Sequence, residues 1–210
     1  MTESHWQSLL RASVSPLRAG TASLDVYGWR PAGRESERPR RTAAVLVGVL
    51  DGPDPEVILT RRSERLAQHP GQVAFPGGSV DDVDRTGVST ALREAEEEIG
   101  LLPERVEAIG FLDRIDTISD FRVLPVVGVV RPGADFVPGL NEVDEVFTLP
   151  LNRALDPEAW APTRIHRDGV TRVIYSMQWQ AHTIWGVTAA ILRNLAERVR
   201  QQQALASRLP

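Results

Sequence analysis

The stretch GGSVDDVDRTGVSTALREAEEEIGL, residues 77–101, decides how the rest of the chain is read. Its spacing predicts a helix over 86–100, with Gly100 at the C′ position just past the last turn. Ala91, Leu92, Ala95 and Ile99 make the apolar stripe that pins such a helix to a sheet. Glu94, Glu97 and Glu98 stand at i, i+3 and i+4 and project from one face, while Glu96 points elsewhere. Like charges so placed repel, at roughly a few tenths of a kcal/mol per close pair on an exposed helix. Two readings compete. Either the glutamates are a solvated acidic face, or they gather hard divalent cations, Mg²⁺ or Mn²⁺, which prefer carboxylate and water oxygens. The context favours the second. Arg93 can pair with Glu97 one turn on or hold a neighbouring carboxylate. Pro76-Gly77-Gly78 lets backbone approach a ligand closely, and a glycine carbonyl there could complete a metal shell. Asp81, Asp82 and Asp84 add negative charge in the loop between.

Outward from this stretch the pattern is β-rich. TAAVLVGVL (42–50) is a continuous apolar run, as in a strand buried on both faces. The turn 51–55 and EVILT (56–60) complete a hairpin. QVAF (72–75) is a short strand that Pro76-Gly77-Gly78 should stop. VEAIGFLDRI (106–115) and FRVLPVVGVV (121–130) are read as a pair of long strands, and VFTLPL (146–151) as a strand edge leading into a short helix. Asp168-Gly169 between β-like runs predicts a hairpin over 163–177. Helices are expected at 3–12 and from Thr183 to Gln203, and a surface loop at 31–41. Two substantial helices without βαβ alternation predict an α+β fold, a sheet sandwich covered by helices. The boundaries expected are an N-terminal helix and loop over 1–41, appended to one domain over 42–210.

The 210 residues suffice for one well-buried core, and 42% hydrophobic with 25% charged residues is ordinary for a globular chain. Cysteine is absent, which excludes disulfide scaffolds, thiolate metal sites and thiol nucleophiles. Lysine is absent too, so no Schiff base forms. The net charge of −4 argues against nucleic acid as a partner. No apolar run approaches the ~20 residues of a membrane span. Residues 1–20 hold Glu3, His5, Arg11 and Arg18 and no apolar block, so no secretory leader is expected and a cytoplasmic location is. The tryptophans at 160, 179 and 185 and the C-terminal helix offer apolar surface on which a homodimer could form.

Arg93-Glu94-Ala95-Glu96-Glu97-Glu98-Ile99-Gly100-Leu101 resembles the second half of the Nudix box, Arg-Glu-U-x-Glu-Glu-x-Gly-U with U apolar. The first half departs from the commonest form: Asp84 replaces the usual Glu, and one extra residue separates it from Arg93. That departure resembles the coenzyme A pyrophosphatase branch of the superfamily. ILTRRSERLAQHPGQVAFPGG (58–78) resembles the branch's upstream signature at Leu59, Thr60, Arg62, Ser63, Gly71 and Phe75 to Gly78, with Ala67 where the signature has Arg. SDFRVLPVVG (119–128) resembles a further stretch, with Asp120 in place of a glycine.

The resemblance implies the Nudix fold, an α/β/α arrangement with the box as loop-helix-loop. It also implies metal-dependent hydrolysis of a diphosphate linked to another moiety. For coenzyme A the products are 3′,5′-ADP and 4′-phosphopantetheine. It places Mg²⁺ or Mn²⁺ on Glu94, Glu97 and Glu98, with a carbonyl ligand from Gly77, and gives Arg93, Glu94 and Glu97 catalytic parts. The general base is a box glutamate or an acid on a later loop, where Glu142 is preferred to Glu145. Arg61, Arg62, Ser63 and Arg65 are candidates for the 3′-phosphate or adenine end, and Gly77 and Gly78 for the diphosphate. Alternatives are ADP-ribose, dinucleotides or nucleoside triphosphates as substrates, and a non-catalytic nucleotide-sensing domain. Glu97→Gln or Glu98→Gln separates enzyme from sensor.

Overall fold

The computed structural model describes residues 4–17, 41–117, 119–139, 141–167 and 169–208. In chain order these form α1 (His5–Ser13), β1 (Arg41–Leu50), β2 (Glu56–Arg62), β3 (Val73–Ala74), β4 (Gly77–Ser79) and α2 (Gly87–Ile99). Then come β5 (Val106–Phe111), β6 (Ile115–Asp116), β7 (Phe121–Val130), β8 (Val143–Pro150) and α3 (Leu151–Leu155). Last are β9 (Ala161–Arg167), β10 (Val170–Trp179), β11 (His182–Ile184) and α4 (Gly186–Ala206).

The apolar run of β1 takes the centre of a mixed sheet because both its faces are covered. Its path is β3-β2-β1-β7-β5, with β4 also on β1, β6 on β7 and β8 on β2. β1 pairs with β7 in parallel from Arg41↔Phe121 to Leu50↔Val130, and the other pairings are antiparallel. Side chains alternate across the sheet. Ala43, Val47 and Val49 of β1 join Val57 and Leu59 of β2 in a cluster closed by Ile191, Leu192, Leu195 and Val199 of α4. Ala44, Leu46 and Ile58 face the other way, onto Ala91, Ala95 and Ile99 of α2. The molecule is therefore an α+β sandwich with α2 on one face and α4 on the other. Leu10 and Val14 place α1 and the segment after it in the α4-side cluster.

Several boundaries differ from the sequence reading, β8 for one starting already at Val143. The short strand β3 ends before Pro76 as expected, but Gly77–Ser79 then forms a strand of its own, β4, paired with Ala43–Val45 of β1, because that strand offers an open edge of backbone groups. The stretch 106–115 breaks after Phe111 and resumes as β6, both pairing with β7. Thr183 belongs to β11, paired with β10, and the last helix starts only at Gly186. The hairpin at Gly169 is present as β9 and β10. Of the expected loop over 31–41, residues 31–40 lie outside the described residues. Trp160 and Trp179 are turned inward, their ring N–H groups donating to Ala154 O at 3.2 Å and Thr148 O at 2.9 Å, whereas Trp185 is 43% exposed. Asp120 sits at φ 61, the left-handed region, which explains why the related motif has glycine there.

Candidate active site

The site is assembled around α2. Thr86 and Ser89 form a capping box, Ser89 N donating to Thr86 Oγ1 at 3.1 Å and Thr86 N to Ser89 Oγ at 2.9 Å. Gly100 closes the helix at φ 68, as its position predicted. Between these caps the stripe of Ala91, Ala95 and Ile99 is fully buried, and its small alanines let the helix lie close to the sheet. That fixes where the glutamates emerge.

Glu98 is turned inward, 5% exposed. Its carboxylate accepts the Gly77 N–H at 3.0 Å, and its other oxygen lies 3.9 Å from Arg62 Nη1. Burial pushes its pKa up to about 7, against the opposing pull of the Gly77 N–H and Arg62. Gly77 can reach it because the β4 ladder to β1 runs through Pro76 O to Leu46 N and Val80 N to Thr42 O. The intervening peptide groups of Gly77 face away from β1. A Cβ on Gly77 would lie 2.5 Å from Ala44 O, so only glycine fits so close to β1.

Glu94 is half-buried and lies over Gly78; a Cβ there would stand 2.4 Å from its carboxylate. Burial raises its pKa, Arg93 opposes this, and Glu97 and Glu142 add to the rise. Glu97 is exposed, held by Arg93 Nη1 at 3.0 Å. Arg93 in turn is gripped from the loop. Its Nε donates to Asp84 Oδ1 at 3.2 Å, and its Nη2 donates to Asp84 Oδ2 at 2.9 Å and Ser79 O at 3.3 Å. Arg93 Nη2 is also 3.0 Å from Glu94 Oε1. Arg93 therefore both pairs with Glu97 and holds its neighbour. Its guanidinium lowers the Asp84 pKa to about 2. The sequence reading placed Asp84 in the box but did not foresee that it grips Arg93.

Glu142 lies opposite, on the loop into β8. A cavity of about 190 Å³ is lined by Glu94, Glu97, Glu98, Gly139, Asn141 and Glu142. The structure thus brings together Arg62, Gly77, Gly78, Arg93, Glu94, Glu97, Glu98 and Glu142, and adds Asn141. It separates Arg61, which alternation sends to the α4 side of β2. Arg61 Nε donates to Glu145 Oε2 at 3.3 Å and Nη1 to Asp144 Oδ2 at 3.4 Å, with Glu64 Oε1 at 3.8 Å. Glu145 Oε1 also lies 3.4 Å from Nε2 of buried His182, which is stacked on Phe147. Glu145 is thereby committed to that face, away from the α2 glutamates. Ser63 is buried and its Oγ accepts from Arg65 N and Nε at 3.4 and 3.3 Å.

A larger cleft of about 550 Å³ between α1 and α4 holds none of these groups. Within its lining Asn194 donates to Asp113 Oδ2 at 2.7 Å, and Arg198 is ion-paired with Asp113.

Among the described residues no three carboxylate or imidazole groups stand in ready coordinating geometry. Glu97 is drawn to Arg93 and Glu98 to the Gly77 N–H. The donor set is nonetheless all hard oxygen, and two of its carboxylates are desolvated with too little positive charge to compensate. That composition fits a divalent cation such as Mg²⁺ or Mn²⁺.

Residues 39–168 match the NUDIX domain model. The chain belongs to the Nudix hydrolase family. It is 42% identical to the uncharacterised Nudix hydrolase NudL of Cronobacter sakazakii over 170 residues, 81% of this chain and 88% of that one. It is 43% identical to NudL of Pectobacterium atrosepticum over 160 residues, 76% and 83% of the two chains. Among solved structures it aligns with the Nudix hydrolase RenU of M. smegmatis at TM-score 0.48 and 17% identity, covering 81% and 88%. Nudix hydrolases use divalent cations to cleave small-molecule diphosphates. Among the described residues of this Nudix hydrolase no helix is long and apolar enough to cross a membrane.

Proposed function

We propose that this Nudix hydrolase cleaves the diphosphate of coenzyme A or its derivatives, giving 3′,5′-ADP and 4′-phosphopantetheine. The observation that carries the reading is how residues 58–78 meet the box helix. This stretch, which resembles the coenzyme A pyrophosphatase signature, delivers Arg62 and Gly77 to Glu98 and Gly78 to Glu94.

Glu94, Glu97 and Glu98, with the Gly77 carbonyl, are assigned to Mg²⁺ or Mn²⁺. A divalent cation held by these residues would neutralise the diphosphate and lower the pKa of a water. The chain's own groups do the rest. Arg93, held by Asp84, keeps Glu94 and Glu97 aimed at the cavity. Glu142 accepts a proton from the attacking water. The water oxygen bonds to phosphorus, the bond from phosphorus to the bridging oxygen breaks, and no covalent enzyme intermediate forms. Gly77 and Gly78 admit the diphosphate where side chains would block it. Arg62 meets a phosphate oxygen with its bidentate fork. Arg65, anchored on Ser63, is assigned to the 3′-phosphate. Arg61, enclosed by Glu64, Asp144 and Glu145, shapes the β2–β8 edge instead. The exposed Trp185 is the apolar surface offered to a second copy.

One residue favours a second substrate such as ADP-ribose: Ala67 stands where the coenzyme A signature has arginine. Incubation of coenzyme A, ADP-ribose and nucleoside triphosphates with the protein and Mn²⁺, followed by mass spectrometry of products, tests the choice. Fastest turnover of coenzyme A is expected. Equal or faster cleavage of ADP-ribose would overturn the proposed substrate.

A further inference from the structure

The helix that carries the glutamates and the loop that carries Glu142 share one joint. α2 ends with carbonyls that have no partner inside the helix. Glu98 O accepts from Gly139 N at 2.8 Å and Ile99 O from Val137 N at 2.9 Å. The 137–139 segment therefore caps α2 from outside. Gly139 then turns the chain toward Glu142: its own carbonyl accepts from Glu142 N at 3.2 Å and from Val143 N at 3.1 Å. Glu142 is fixed from a third side, since its carbonyl accepts from Ser63 N at 2.8 Å. A Cβ on Gly139 would stand 2.9 Å from Glu97 O and 3.3 Å from Glu98 O. Those atoms are helix backbone, which cannot swing aside as a side chain does. Any larger residue must push the loop off the helix.

We infer that Gly139 is a positioning residue of the reaction: its bare α-carbon and its two-way hydrogen bonding set the distance between Glu142 and the Glu94–Glu98 turn. The inference rests on the reading of Glu142 as the proton acceptor. The carboxylate of Glu142 is exposed, so no packing of its own holds it at the cavity. Its position is inherited from the backbone, and the backbone is registered at Gly139. A displacement of about 1 Å in such a group is enough to cost roughly 100-fold in rate.

The test compares Gly139→Ala, Glu142→Gln and the double variant with Mn²⁺ and coenzyme A, or ADP-ribose if that is what the wild type cleaves. Gly139→Ala is expected to lower kcat about 10- to 100-fold with KM within about threefold. Glu142→Gln is expected to lower kcat about 100-fold or more. The double variant should be no slower than Glu142→Gln alone, because the two changes remove one function. Gly52→Ala is the control: a Cβ there meets nothing within 4 Å, and its activity should match wild type. If Gly139→Ala does not fold, Pro138→Gly replaces it; this loosens the same loop without adding an atom and should also lower kcat and leave Glu142→Gln unaffected. Full activity in a folded Gly139→Ala, or effects that simply multiply, would overturn the role of Gly139 while leaving Glu142 in place. Wild-type kcat in Glu142→Gln would overturn the reading of Glu142 and this inference with it.

Discussion

Replacing Asp84 with asparagine isolates the contact that aims Arg93. The Asp84 side chain is 2% exposed and takes two hydrogen bonds from the guanidinium, at 3.2 and 2.9 Å. Arg93 lowers its pKa from 3.8 to about 2. A drop of nearly two pKa units is linked to about 2 kcal/mol of folding stability at neutral pH. The folded-state pKa is depressed, so this stabilisation is complete above about pH 5, is roughly halved near pH 3 and vanishes below about pH 2. For a chain of this size 1 kcal/mol moves Tm by about 2–4 °C, so Asp84→Asn should melt about 4–8 °C below wild type at pH 7. Melting both proteins by circular dichroism at pH 7, 5 and 3, with chelator present, measures the gap. It should be equal at pH 7 and 5 and clearly smaller at pH 3. A gap that is absent at pH 7, or that widens on acidification, would refute the coupling of Asp84 to Arg93.

Gly78→Ala should leave the melt within a few degrees of wild type yet cut kcat by about 100-fold, because the new methyl displaces only the flexible end of Glu94; steady-state kinetics beside a thermal melt checks it. Glu98→Gln should lower kcat by about 100-fold or more while far-UV circular dichroism stays native, since an amide fills the same buried space without the charge. EDTA should abolish hydrolysis, and Mn²⁺ or Mg²⁺ should restore it, read by liquid chromatography as 3′,5′-ADP and 4′-phosphopantetheine formed. Asp120→Gly should raise stability by about 1 kcal/mol or less in urea denaturation, because glycine occupies φ 61 without the Cβ penalty.

What could be read from the sequence was what is local. The extent of α2 follows from its apolar spacing and Gly100, and the shared face of Glu94, Glu97 and Glu98 follows from helical period alone. β1 announced its central place by an apolar run with no polar face. What could not be read depends on register between distant segments. Gly77-Gly78-Ser79 has no strand propensity and becomes a strand only because β1 offers it hydrogen bonds. Arg62 meets Glu98 only once β2 and α2 are docked, and the Asp84–Arg93 fork needs the whole intervening loop in place. The tie from Gly139 to the end of α2 joins residues about forty positions apart, and nothing in PGLNE hints at it.

Arg61 and Arg62 look like spare copies of each other. The pleat of β2 makes them unlike: one reaches the carboxylates of Asp144 and Glu145, the other the buried Glu98, with the thickness of a sheet between. Neither can substitute for its neighbour, so the pair carries no redundancy. A one-residue slip in the register of β2 would exchange their destinations and disable both at once.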